Sequence, residues 1–536
     1  MRQWMVAAKK ADFYAIAEKF HVDPVVARII RNREVIGEKN IRIYLGGNLL
    51  DLSDPHQMKD MDRLVEILAQ KIRKQVRIRI IGDYDVDGVT SSHLFLTALR
   101  HVGAKVDVVI PHRIQDGYGL SLHLLQQAKE DGVDTILTCD NGIAAIDEIA
   151  WAKAQKMTVL VTDHHAVPFE EHEGRRTEKK SLADAVVNPH QQDCRYPYKE
   201  LCGAGVAWNV IRVLYENYDM DKREAEDLLD FVAMATVCDV MSLTGENRIL
   251  VKEGLKRIRH TKNIGLQALM QACNVQPENI SAYHFGYVLG PCVNATGRLD
   301  TARHALRLFE TGQETEAEEI ARDLVDLNQE RKELTLQGVE MAKKLCEEGG
   351  YENDPVLVLF LPDVHESIAG LIAGRIREMY NRPVFVLTRG EEGVKGSGRS
   401  TENYSMYENM YGCAELFTKF GGHPMAAGLS LPEENVEKFR RKINENCPLT
   451  VEEVCPDIHI DMAMPVGYAS TELVHQFALL EPFGKDNPSP LFADRNLSIS
   501  RMWVIGKNRN VLRMSVLSEY GQPVPVIFFG DVETLF

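Results

Sequence analysis

From Val76 onward, short apolar runs alternate with amphipathic stretches. Val76–Ile81, Val106–Ile110, Thr135–Thr138, Thr158–Thr162 and Ala185–Val187 are short, rich in β-branched residues and bounded by polar residues, which predicts strands. Gly88–His101 and Ala144–Gln155 carry apolar positions at helical spacing between them. Together they predict βαβ units and an α/β fold with a mainly parallel, doubly wound sheet. Phe231–Cys238, apolar but for Thr236, reads as a further strand within a region otherwise helical from about 205 to 308. Glu314–Glu348 contains no Pro and spaces Ile320, Leu324, Leu327, Leu334, Met341 and Leu345 along one face, predicting a long connecting helix.

The expected organisation is an N-terminal helical cap over 1–70, an α/β domain over 71–310, the connecting helix over 311–349, a smaller α/β domain over 350–450 and a β module over 456–536. In the smaller domain, Pro355–Leu361 and Pro383–Thr388 read as strands, Ser367–Tyr380 and Glu433–Asn444 as helices, and Gly393–Ser400 as a Gly/Ser segment in which Gly396–Ser400 suits wrapping a phosphate or forms a flexible hairpin. The last segment, with runs at Ile458–Ile460, Leu497–Ile499, Met502–Ile505, Val511–Val516 and Val524–Phe529, fits an antiparallel oligonucleotide-binding barrel without being unique to it. Phe483, Phe492 and Trp503 could stack bases there, but are expected in its core.

With 536 residues, a large core needs no covalent staple. A net charge of −16 argues against general adhesion to nucleic acid or anionic membrane, so a polyanion would need a local basic groove or metal ions. Lys71, Arg73, Lys74, Arg77 and Arg79 form one basic run and Lys438, Arg440, Arg441 and Lys442 another; each reads as a solvated face or as a track for a DNA backbone. The ten cysteines include no C-x-x-C pair, which fits reduced thiols. No run is long enough to span a membrane, and Met1–Lys10 lacks the apolar core of a signal peptide, so a cytoplasmic location is expected.

The chemistry concentrates where predicted strands end. Asp83-Tyr84-Asp85-Val86-Asp87-Gly88 places three carboxylates at every second position, which on an extended backbone would point the same way. Converging carboxylates repel unless cations hold them, so the spacing points to a hard divalent metal; an acidic turn and a calcium loop are the other readings. Asp140 in Cys139-Asp140-Asn141-Gly142-Ile143, Asp163-His164-His165 and Asp239 each close a further predicted strand. Singly they read equally as turn formers, caps or core residues. Jointly, at the carboxyl edge of a parallel sheet, they suit two divalent ions that activate water against a phosphoester.

These motifs, with Ala235-Thr236-Val237-Cys238-Asp239-Val240, resemble the DHH phosphoesterase superfamily. Within it they are similar to the RecJ family of single-strand-specific 5′→3′ DNA exonucleases. The resemblance continues through Asn294-Ala295-Thr296-Gly297-Arg298, Gly396-Ser397-Gly398-Arg399-Ser400 and Gly421-Gly422-His423-Pro424-Met425-Ala426-Ala427-Gly428, the last two similar to the superfamily's associated DHHA1 domain. With Leu480-Glu481-Pro482-Phe483-Gly484 it covers nearly the whole chain.

The resemblance implies that Asp85, Asp87, Asp140, His164 and Asp239 hold two Mn²⁺ or Mg²⁺ ions, with Asp140 bridging. It implies Asp83 as a further acid at the site and His165 as the residue facing the scissile phosphate. The pyrophosphatase branch has a His four residues before the middle Asp, where this chain has Ile81, which shifts weight to Asp83. Ser397, Arg399 and Arg298 are implied to hold a 5′-terminal phosphate, with Asn294 and His423 as further DNA contacts. A closed barrel of this family continues beyond Val524–Phe529, after which seven residues remain here, so a final strand is expected to be missing.

The implied activity is metal-dependent hydrolysis of single-stranded DNA from its 5′ end to mononucleotides, in recombination and repair. A monomer is expected, and single-strand-binding protein or helicase partners are implied by the family alone. A phosphodiesterase for short RNA or signalling dinucleotides and a non-catalytic DNA-binding scaffold are the alternatives. The extra module from Pro456 disfavours the first, and the full set of acids and histidines disfavours the second.

Overall fold

A computed structural model describes residues 4–113, 115–172, 175–351, 353–390, 393–455, 457–506, 509–530 and 532. The chain packs as two units, one of residues 1–47 with 457–536 and one of residues 48–456. No helix among the described residues is long and apolar enough to cross a membrane. All ten cysteines are unpaired thiols.

The larger unit is built on an all-parallel sheet ordered Lys105–Val109, Arg77–Ile81, Thr135–Cys139, Thr158–Thr162, Ala185–Val187. Its inner strands are buried on both faces, which is why they read as largely apolar runs, with Arg79 of Arg77–Ile81 the buried exception. Helices Met61–Arg73, Val86–His101 and Gly203–Asn217 pack on one face, and Leu122–Glu130 and Ile146–Ala154 on the other. The chain turns in opposite directions from Arg77–Ile81 and Thr135–Cys139, so a crevice opens between their carboxyl ends, the usual ligand site of such sheets.

Phe231–Cys238, expected as a strand, lies in the helix Leu229–Cys238. Residues Leu229 to Thr236 are all buried, and a helix wrapped in protein on every side has no polar face to mark its period. The Gly/Ser segment, read as a phosphate wrap or a flexible hairpin, is regular structure: Gly393–Arg399 is an inner strand of a second sheet, ordered Lys419–His423, Ala426–Leu431, Gly393–Arg399, Val384–Gly390, Leu357–Phe360. The connecting helix spans Glu314–Glu348 as expected, about 52 Å at 1.5 Å per residue. Ala317, Ile320, Ala321 and Leu324 sit in the first domain's core and Val339, Ala342 and Cys346 in the second's, whereas Met341 is exposed.

The basic runs are largely neutralised within the fold. Arg79, 6% exposed, reaches Asp107 at 2.8 Å and Asp131 at 2.8 Å, Arg77 reaches Asp107 at 2.7 Å and Lys71 reaches Asp134 at 2.5 Å. Arg440 pairs with Asp354, Lys442 with Glu415, and Lys438 donates to Asn435. Arg79→Leu is therefore expected to destabilise the unit by about 1–3 kcal/mol, discounted because both carboxylates are partly solvated and Asp107 keeps Arg77. Chemical denaturation checks this; an unchanged midpoint with weaker retention on single-stranded DNA would restore the DNA-track reading.

In the smaller unit, helices Phe13–Phe20, Pro24–Asn32 and Glu38–Gly46 share a core with Leu473 and Leu480. Ser498–Ile505, Val511–Leu517 and Pro523–Phe529 form a three-stranded antiparallel sheet, and Met462–Ala463 pairs with Phe492–Ala493, without barrel closure among the described residues. Residues 1–3, 531 and 533–536, on which expectations about the chain ends partly fell, lie outside the described residues. Phe483 and Phe492 pack on the core, but Trp503, expected there too, is 47% exposed.

Candidate active site

The acidic motif is not the extended ladder that its spacing suggests. After Ile81 the chain turns at Gly82, Asp83 lies in the loop, Asp85 is the N-cap of helix Val86–His101 and Asp87 is in its first turn. The Asp85 carboxylate accepts from the Gly88 amide at 3.0 Å, which commits the backbone to a helix. Gly88 is required here: a Cβ would stand 2.4–2.5 Å from the Asp83 backbone, which cannot move aside. Asn294 Oδ1 accepts from the Val86 amide at 3.2 Å, so this residue, implied as a DNA contact, supports the acidic loop.

The fold gathers the acids nonetheless. Candidate ligand atoms of Asp83, Asp85 and Asp140 lie within 4.8 Å of one another, as do those of Asp87, His164 and Asp239, and those of Asp140, His164 and His165. Asp140 and His164 each belong to two groups. His164 Nε2 is 3.1 Å from Asp140, 3.5 Å from Asp239 and 3.6 Å from Asp87. Asp140 adopts φ +61°, a left-handed conformation that Asp tolerates. Asp239 caps the end of helix Leu229–Cys238 rather than a strand.

Asp87 is held from behind. The amides of Gly203 and Ala204, at the start of helix Gly203–Asn217, donate to the two Asp87 oxygens at 2.6 and 2.8 Å. Burial first, then the neighbouring carboxylates, pushes Asp83 and Asp140 well above the usual carboxylate range and Asp85 above it too. Burial holds His164 below the ordinary imidazole value. Asp83 Oδ2, Asp140 Oδ1 and His164 Nε2 are buried without a hydrogen-bond partner. Repelling carboxylates with orphaned lone pairs and one imidazole suit hard divalent ions such as Mg²⁺ or Mn²⁺.

Asp163 has a different task. Its carboxylate accepts from the amides of Ile143, His164 and His165 and contacts His165 Nδ1 at 2.8 Å. Against burial, the Asp163 hydrogen bond and charge, with the charges of Asp239 and Asp87, push His165 up to about 9. The Tyr118 hydroxyl lies 3.1 Å from His165 Nε2 and donates to the Asp140 carbonyl at 3.0 Å. The sequence marks neither Tyr118 nor the anchoring role of Asp163.

Beside this pocket is a cleft of about 510 Å³ lined by Tyr84, Arg113, Ser367, Ser397, Lys419 and Gly428, among others. Its floor follows from strand register. Ser397, Gly428 and Gly421 form one cross-strand row, flanked by the Lys395, Ser430 and Lys419 row on one side and the Arg399, Ala426 and His423 row on the other. The two glycines leave a trough between cationic side chains, and the strand's amides are spent on the ladder, so side chains must supply the donors. His423 shares this face but is exposed and does not line the cleft.

Arg298 Nη1 donates to the Ser367 carbonyl at 2.6 Å. Burial, then the like charges of Arg113, Arg331 and Arg399, brings Arg298 down to about 10. Arg113 lies 4.1 Å over the Tyr84 ring and donates to the Gly297 carbonyl. Of these arginines only Arg113 lines the cleft itself; Arg298 reaches its lining residue Ser367, and Arg399 folds back on the Gly398 carbonyl. None of the three has a carboxylate ion pair among the described residues, which favours an anion beside them. Arg113, Tyr84, Lys395 and Lys419 are site-lining residues that the sequence does not single out.

Comparison with known proteins agrees with this geometry. The model of the DHH family, N-terminal domain, matches residues 77–236, that of the DHHA1 domain residues 353–447, and that of the RecJ OB domain residues 460–536. The single-stranded-DNA-specific exonuclease RecJ of Bacillus subtilis is 33% identical over 512 residues, 95% of this chain and 63% of that protein, so the chain spans less than two thirds of this relative. The Haemophilus influenzae enzyme of the same name is 34% identical over 518 residues, 93% of this chain and 88% of that protein. The crystal structure of RecJ in complex with Mn²⁺ from Thermus thermophilus superimposes with a TM-score of 0.83 at 27% identity, covering 99% of this chain and 74% of that one. Identical at a third of positions to relatives that it matches over most of its length, this chain belongs to the RecJ family.

Proposed function

We propose that this chain is a metal-dependent exonuclease that hydrolyses single-stranded DNA from its 5′ end to mononucleotides. One observation carries the reading: Tyr84 lines the arginine-framed cleft, while its neighbours Asp83 and Asp85 belong to the acidic pocket. A terminal phosphate held in the cleft therefore leaves the first phosphodiester beside the carboxylates.

Asp83, Asp85, Asp87, Asp140, His164 and Asp239 would hold two divalent ions. Such ions, when bound, activate a water and neutralise charge on the phosphoryl group. The chain's own part is positioning and charge. Arg298, Arg399, Arg113 and Ser397 grip the terminal phosphate and set the register of the strand. His165, oriented by its Nδ1 contact with Asp163, donates to a phosphoryl oxygen as negative charge develops there. The amides of Gly203 and Ala204 fix Asp87, so the pocket needs no reorganisation during reaction.

The test compares 5′-phosphorylated single-stranded DNA, duplex DNA and a dinucleotide, each with Mn²⁺ and with EDTA. Mononucleotide release from the first alone, lost in EDTA, is expected; cleavage of the dinucleotide alone, or retention without turnover, would overturn the reading. The parent should prefer 5′-phosphate over 5′-hydroxyl ends, and Arg399→Ala should erase about 1.5–3 kcal/mol of that preference, mainly through KM. Equal activity of the parent on both ends would remove the phosphate-anchoring role.

A further inference from the structure

Tyr283 and Tyr287 are 62% and 71% exposed, yet their rings are stacked on each other, 5.1 Å between centroids with 26° between planes. Two large rings facing solvent one helical turn apart contribute little to the core. They sit where helix Ala282–His284 passes through a π-helical segment, Phe285–Leu289, into helix Gly290–Leu299. π-Helical turns occur frequently at functional sites.

Two contacts fix this segment beside the acidic pocket. Cys238, the residue before Asp239, donates its thiol to the Phe285 carbonyl at 3.3 Å, and Gly290 packs so tightly that a Cβ would stand 2.3 Å from the Cys238 sulfur. Further along the same helical run, Asn294 supports the acidic loop and Arg298 donates to Ser367, a lining residue of the phosphate cleft. Burial along the run shows a stripe that is not fully covered: Tyr283 and Tyr287 exposed, then Pro291, Asn294 and Arg298 half-buried. Steps of four, four, three and four residues keep these positions on one helical face. The face that carries the anchor for the strand's end therefore carries two solvent-facing rings about three and four turns earlier, on the segment that Cys238 holds.

We infer that Tyr283 and Tyr287 form a stacking platform for unpaired bases of the substrate strand, on the 3′ side of the bond being cut. The inference rests on the function proposed above. A strand whose 5′ phosphate lies at Arg298 and whose first phosphodiester lies at the acids continues along this face toward the rings. Every base has a π-face, so the platform accepts any sequence, and paired bases cannot use it because their faces are occupied within the duplex. The rings thus serve to retain a long single strand between successive cuts.

The experiment uses the full chain with Mn²⁺ and two 5′-phosphorylated substrates, a single strand of about 20 nucleotides and a dinucleotide. Alanine substitution of stacking aromatics typically weakens single-strand binding severalfold per base. Tyr283→Ala/Tyr287→Ala is expected to lower kcat/KM on the long strand about 10- to 100-fold. Its activity on the dinucleotide should stay within about twofold of the parent, and Tyr283→Phe/Tyr287→Phe should retain most activity on both. Abasic sites at the third to sixth nucleotides should cost the parent a similar factor and the alanine variant little more. An undiminished kcat/KM of the alanine variant on the long strand, or equal loss on both substrates, would overturn the platform and leave the exonuclease reading intact. A parent inactive on single-stranded DNA would overturn that reading itself.

Discussion

Asp140→Asn is expected to lower nucleotide release by at least about 1,000-fold and, at the same time, to raise the melting temperature of the metal-free protein. Both follow from one geometry. Asp140 is common to two of the three ligand groups, so its loss disables both sides of the pocket. Without metal, its charge is buried against Asp83, Asp85, Asp87 and Asp239, and replacing it by a neutral isostere relieves that repulsion. The sign with pH is fixed. A carboxyl raised above its ordinary value opposes folding at neutral pH, and the penalty fades as the group protonates on acidification. The stability advantage of the variant should therefore shrink as pH falls from neutral toward the ordinary carboxylate range. Adding Mn²⁺ should stabilise the parent and barely affect the variant. Thermal melts with and without Mn²⁺ decide it; an equal Mn²⁺-induced shift in both proteins would remove Asp140 from the ligand set.

Gly203→Ala should be nearly as damaging, although this residue carries no chemistry. Its Cβ would stand 2.6 Å from the Asp140 Cβ and 2.9 Å from the Asp140 Cα. Either Asp140 shifts or the helix start retreats, taking with it the amide that holds Asp87 at 2.6 Å. A displacement approaching 1 Å in a positioned site typically costs about 100-fold in rate, and that loss is expected here with 5′-end binding largely kept. Gly205→Ala is the control, since its Cβ meets side-chain atoms of Leu201 only at 3.4 Å, an ordinary contact. Single-turnover rates of the two variants, alongside circular dichroism, check the contrast. Equal rates would mean that the tight approach behind Asp140 is not what positions the carboxylate.

The parallel sheet was legible because its inner strands are buried and so read as largely apolar runs between polar ends, although Arg79 interrupts one of them and the edge strand Lys105–Val109 is only half-buried and carries Asp107. The same rule misled at Phe231–Cys238, where a helix enclosed by protein presents the same largely apolar run. The identities of the acids were visible, but their geometry was not: Asp85 caps a helix, so the alternation along Asp83, Asp85 and Asp87 is not that of a strand. Gly396 and Gly398 suggested a phosphate wrap or a flexible hairpin because glycine marks turns and close approaches. In the folded chain they make room for others, since a Cβ on Gly396 would meet Leu387 at 2.4 Å and one on Gly398 would meet Met406 at 2.6 Å. Arg113, Lys395 and Lys419 reach the cleft through cross-strand register and a loop path, neither of which leaves a local pattern. Tyr283 and Tyr287, four apart, resemble any other pair of helical aromatics until their exposure is known.

The helix Glu314–Glu348 is a rod with one end set in each of two hydrophobic foundations. Parting the jaws that it joins would mean bending some fifty ångströms of continuous hydrogen-bonded backbone or pulling one end out of its seat. The gauge of the slot between Arg298 and Ser397 is thus set by a strut, not by a swinging linker, and a thread must be fed into an opening whose width is already decided.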